Sequence, residues 1–182
     1  SVGDSNGLRL LLALRGDPWG IVEPVLGLDA SFYVFVLPLL RAAVTFGLIT
    51  AFLVFTVCVG GYAATGGLRW AEDGARIGDQ ARVHLGSVVA AFVLLLGVQF
   101  FLGRYVILQF GGSEVQGIFG YADAAARLPG LGVMTVLAAF GAVLIFFGAL
   151  RNRLVPFVSG IGTVIVGGLV VLQFWPSLVQ RF

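Results

Sequence analysis

Three carboxylates, Asp17, Glu23 and Asp29, stand six residues apart in one short stretch. Carboxylate oxygens can bind a cation, but this spacing does not match a calcium loop, whose ligands come at alternating positions. Capping and solvation account for them, with Asp29 or Ser31 placed to cap the helix that follows. His84 is the single histidine. It has no Cys, Asp or Glu at metal-ligand spacing. Cys58 is the single cysteine, set in an apolar run where a small buried side chain suffices. Gln99 is the strongest polar candidate inside an apolar run, as a site residue or as a helix–helix hydrogen bonder. The glycines of GGSEVQGIFG lack the lysine and the Ser/Thr of a phosphate loop. No catalytic, cofactor-binding or metal-binding residue is therefore assigned.

The elements around these residues are apolar. Of 182 residues 59% are hydrophobic and 11% charged, too few charges to clothe a soluble domain. Mean hydropathy is +1.02. Four runs reach the length of about 20 residues that crosses a bilayer as a helix: Ala42–Ala64, Leu85–Gly103, Leu131–Leu150 and Leu154–Trp175. The expected fold is all-α: a polytopic membrane bundle of four transmembrane helices with short interfacial helices. Residues 1–30 form an interfacial segment and loop. Residues 31–182 form the transmembrane domain, part of a longer protein, since both ends look like cuts and no signal peptide is visible.

Gly7–Gly16, a leucine cluster flanked by Arg9 and Arg15, suits an interfacial helix or a helix packed on neighbouring protein. Pro18, Gly20, Pro24 and Gly27 make Asp17–Ala30 a loop, with Trp19 at headgroup level. Ser31 to Ala64 would measure about 50 Å as one helix, against a core of roughly 30 Å. Pro38 can mark a bend, which predicts a short interfacial helix before it and the first spanning helix after. A single steeply tilted helix is the alternative. Arg41 would snorkel to the headgroups.

In the connection Thr65–His84, Arg69 with Asp73 and Glu72 with Arg76 are four apart and would share a helix face. Arg104 and Tyr105 close the second helix. Tyr121–Leu128 allows one or two turns, with Asp123 and Arg127 four apart, and Pro129 opens the third helix. Ala138, Ala142 and Ala149 would share one narrow face of that helix. The tight turn Arg151–Arg153 makes the third and fourth helices antiparallel. Ser159, Thr163 and Gly167, at intervals of four, suit close helix packing in lipid.

All 11 basic residues are arginine, scattered through connections rather than clustered. That excludes a nucleic-acid footprint. Four crossings put both ends on one side. The side of Arg69, Arg76, Arg82, Arg151 and Arg153 would be cytoplasmic, because short loops dominate orientation. The spanning runs hold no Asp, Glu, Lys, Arg or His well inside, which weakens an autonomous pump.

GLDASFYVFVLPLLR (Gly27–Arg41), ARVHLG (Ala81–Gly86), YADAAARLP (Tyr121–Pro129) and WPSLVQRF (Trp175–Phe182) resemble, in this order, the membrane family known as UPF0182. The resemblance covers nearly the whole chain. It implies a long protein with several spanning helices before a large extracytoplasmic region, and it supplies no catalytic residues. The expected role is a non-enzymatic, multi-pass module of the cell membrane that anchors or positions that region. Its partners would be membrane lipids, the rest of the full-length protein and a membrane protein. The alternatives are part of a transporter or lipid conduit, or the membrane portion of an enzyme whose active groups lie elsewhere.

Overall fold

The computed structural model describes residues 17–71, 74–111 and 119–179, together with Gly7 and Leu12. Among them four helices are long and apolar enough to cross a membrane: α1 (Phe32–Ala64), α2 (Asp79–Phe110), α3 (Asp123–Arg151) and α4 (Leu154–Ser177). An antiparallel hairpin, β1 (Leu68–Ala71) and β2 (Gly74–Ile77), links α1 to α2. Residues 8–11 and 13–16 of the segment Gly7–Gly16, Glu72 and Asp73, most of GGSEVQGIFG and the Arg181 tail lie outside the described residues.

The helix α3 is central. In its apolar stretch 39% of residues are buried, against 28% in α2 and 6% in α1 and α4. Small residues bring α2 and α3 together. Gly86 lies against Ala149 and Gly97 against Ala138, while Ala90 and Val93 cluster with Ala142 and Ile145. Ala138, Ala142 and Ala149 thus share the buried face expected of them. On its other side α3 meets α4 backbone to backbone. A Cβ on Gly141 would stand 2.7 Å from the Gly160 carbonyl oxygen, and one on Gly148 would stand 2.6 Å from the Phe157 nitrogen. Without an aqueous drive between helices, such close van der Waals approach is what associates them in lipid.

The packing face of α4 differs from the expected one. Phe157, Gly160, Ile161, Val164 and Gly167 meet α3, whereas Ser159 is exposed. The Thr163 hydroxyl donates to the Ser159 carbonyl (2.8 Å), and the Ser159 hydroxyl to the Pro156 carbonyl (3.0 Å). Both hydroxyls are satisfied on their own helix and need no place in the seam. A spacing of four fits several faces of a glycine-rich run, and the face carrying Gly160 allows the closest approach.

Nor does Pro38 separate an interfacial helix from a spanning one. Residues Phe32–Val36 are π-wound and run straight into the α-helix, with the Leu37 N–H donating to the Phe32 carbonyl five residues back. The same device precedes Pro129, where Leu128 donates to Asp123, and Pro176, where Trp175 donates to Val170. A proline ring clashes with the carbonyl four residues back. A wider turn before the ring gives it room, so each helix continues through its proline.

Two further corrections follow from helix length. The second helix runs from Asp79 to Phe110, so His84, Arg104 and Tyr105 lie within it. The connection before it is a hairpin, which places Arg69 directly opposite Arg76. The expected pairs of Arg69 with Asp73 and Glu72 with Arg76 lie partly outside the described residues, since Glu72 and Asp73 do; the segments that flank them are strands rather than the expected helix. The Asp73–Gly74 dipeptide is the turn signal that competed with them.

Candidate functional site

The helix α1 touches α2 differently from the way α3 does. At one end Tyr33, Leu37 and Val44 cluster with Leu102 of α2, and Phe32 and Tyr105 meet edge to face at 5.2 Å. At the other end the Tyr62 hydroxyl and the His84 Nδ1 are hydrogen-bonded at 3.0 Å. Between these clasps a cavity of about 200 Å³ is lined by Ala51, Phe52, Phe55, Val88, Val89 and Phe92.

A larger groove of about 520 Å³ shares Phe55 and Val89 with it and continues toward the hairpin. Its small floor residues are Gly86, Gly148 and Ala149, and its walls include Leu154, Phe157 and Ile161 of α4. The polar lining is confined to the hairpin end: Arg82, Asn152 and Arg153. The Arg82 guanidinium is fixed there. Its Nε donates to the Ala149 carbonyl (2.9 Å), and Nη1 pairs with Asp79 (2.7 Å). Arg153 is exposed and forms no ion pair among the described residues. Among the described residues no carboxylate lines the groove. The site is therefore apolar along its length and positive at one mouth.

Sequence reasoning did not single out this groove. Its signal on α2 is the helical stripe Arg82, Leu85, Gly86, Val89, an arginine heading an otherwise apolar face. The contribution from residues 148–161 depends on how α3 and α4 pack, which spacing alone leaves open.

The residues weighed from the sequence fall elsewhere. The Asp29 carboxylate accepts N–H groups from Trp19 (3.0 Å), Gly20 (2.8 Å) and Ser31 (2.9 Å), so it caps α1 as expected. Hydrogen bonds from Ser31, then from Trp19 and Gly20, hold its pKa down to about 2. Glu23 accepts from the Val25 and Leu26 N–H groups (2.7 Å each) and from the Tyr33 hydroxyl (3.3 Å). Both carboxylates thus face backbone donors, which a cation would have to displace. Among the described residues no three His, Cys, Asp or Glu side chains gather into a metal-binding group. Cys58 is half-buried and free. The Gln99 Oε1 is buried without a partner, as is the Arg104 Nε, so that oxygen makes no helix–helix hydrogen bond among the described residues. Asp123, 1% exposed, pairs with Arg127 at 2.9 Å at the start of α3.

These features define an α-helical membrane protein, a bundle whose four helices are of spanning length. Within that class the chain belongs to UPF0182, described as an uncharacterised protein family, whose model matches residues 3–182. It is similar to UPF0182 proteins of Mycobacterium marinum, Mycolicibacterium gilvum and Mycobacterium tuberculosis, at 32% identity over 99% of this chain. It spans 18% of the length of each of these relatives. No solved structure matches it.

Proposed function

We propose that the chain is a multi-pass, non-enzymatic module of the cell membrane that anchors and positions an extracytoplasmic region of a longer protein. The observation that carries this reading is the character of the α2–α3–α4 seams. They are lined mainly by glycine, alanine and aliphatic side chains, and the arginines that reach them, Arg82 at the Ala149 carbonyl and Arg104 beside Gly132, stand 22 residues apart toward the two ends of α2 rather than midway. Such seams give rigid association, whereas an ion path commonly needs an ionisable group within the membrane. The hairpin side, with Arg69, Arg76, Arg82, Arg151 and Arg153, is the cytoplasmic side under this reading. The partners are membrane lipids and the remainder of the full-length protein.

The groove beside α1 supports a second reading, part of a lipid conduit. Vesicles separate the two. Full-length protein reconstituted with fluorescent phospholipid should leave the rate of lipid movement between leaflets at that of protein-free vesicles. Accelerated movement would overturn the anchor in favour of the conduit. Protease added outside intact cells should digest the soluble region, and protection there would reverse the orientation.

A further inference from the structure

We infer that the groove between α1 and α4 is a binding site for one anionic phospholipid. The phosphate sits at Arg153 and Asn152, and one acyl chain lies between α1 and α2 as far as Phe52 and Phe92. The depth of the groove points to this occupant. Arg82 and Arg104 are 22 residues apart on α2, about 33 Å along a helix, close to the roughly 30 Å of a hydrocarbon core. They therefore mark the two headgroup levels, and Phe92 falls near the midplane. From Arg82 to Phe92 is about 15 Å, the depth of one leaflet. The groove and the inner cavity that shares Phe55 and Val89 with it cover that interval.

Polarity follows the same axis. The lining is apolar from Phe92 to Leu85, and its polar side chains gather at the mouth. Arg153 is available for a ligand, since it forms no ion pair among the described residues. Arg82 stands beside it with its charge paired to Asp79 and its Nε on the Ala149 carbonyl, so Arg153 carries the net positive charge of the mouth. A guanidinium matches two phosphate oxygens at once, and basic pockets between membrane helices take anionic headgroups in this way. A soluble phosphate would leave the apolar length empty, and an uncharged lipid would leave Arg153 unmatched. The site stands whether or not the anchoring role holds, since a bound lipid does not require lipid transport.

The test is native mass spectrometry of the full-length protein in detergent, with dioleoyl phosphatidylglycerol or dioleoyl phosphatidylcholine added. The wild type should retain one phosphatidylglycerol in preference to phosphatidylcholine. Arg153→Gln should weaken phosphatidylglycerol retention about fivefold and weaken phosphatidylcholine, whose phosphate is offset by its own choline cation, less. Ala51→Trp, which fills the inner cavity, should lower retention of both. Arg151→Gln, outside the groove lining, should behave as wild type. Equal retention of the two lipids by the wild type would overturn the assignment. So would equal losses in Arg153→Gln and Arg151→Gln, which would mean diffuse surface charge, or displacement of phosphatidylglycerol by oleate, which would mean a fatty-acid site. If Ala51→Trp fails to fold by circular dichroism, the comparison of the two arginine variants decides alone.

Discussion

The helix α2 presents two unlike faces. Toward α3 it offers Gly86, Ala90, Val93 and Gly97, and the partner helix closes on them with Ala149, Ile145, Ala142 and Ala138. Toward α1 it offers Val88, Val89 and Phe92, and the helices hold apart around a cavity of about 200 Å³. Both faces are apolar, so hydrophobicity does not tell them apart. Side-chain size does. In lipid, apolar surface gains little by leaving its solvent, and helices close where small side chains let backbones meet. Large side chains leave a gap that an acyl chain can fill. One face therefore gives the bundle its stability, and the other offers a site.

The largest expected effect lies in the closed seams. Gly141→Leu must displace the Gly160 backbone and should cost about 3 kcal/mol or prevent folding, read as a fall in thermal midpoint in detergent. Gly60→Leu on α1 meets nothing within 4 Å and should change stability by less than about 0.5 kcal/mol. Similar losses in the two variants would erase the distinction between the faces. Next comes Asp123→Ala, which removes the partner of Arg127. It should cost about 2 kcal/mol, below the 3–5 kcal/mol of a fully buried pair, because the Arg127 side chain is 27% exposed. The same melt reads it.

A smaller effect sharpens the open side. Tyr62→Phe removes the hydrogen bond to His84 and should cost about 0.5 kcal/mol. Hydrogen exchange should rise in α1 near Phe52–Phe55 and stay unchanged in α3. Uniform exchange along both helices would contradict the clasp. The smallest effect is local to the loop before α1. Ionised Asp29 is favoured in the folded loop, because its pKa lies at about 2 against an ordinary 3.8. Its contribution is fully present above pH 4 and fades as pH falls through 2. The Gly20 amide resonance should therefore titrate near pH 2, and a midpoint near 3.8 would show that the cap does not form.

Helix number, the alanine face of α3 and the Asp29 cap were legible in residue types and spacing. Each rests on a local rule: run length, period or a single capping side chain. The seam on α4 was not legible, because glycines at 160, 162, 167 and 168 support several faces and only the partner helix selects one. The hairpin was hidden by charges at helical spacing, although Asp73–Gly74 signalled a turn. The continuity of α1 through Pro38 depends on a π-wound turn, which has no residue signature in this chain. The groove was least visible of all. Its lining comes from all four helices and β2, and its shape follows from where small and large side chains face each other across them.

The most direct test is a cryo-electron microscopy map of the full-length protein in nanodiscs containing phosphatidylglycerol. Elongated density should run from Arg153 past Phe55 and Val89 to the midplane, with Gly141 and Gly160 in contact and nothing between them. A side chain of α1 filling the groove, or lipid density parting α3 from α4, would contradict the account.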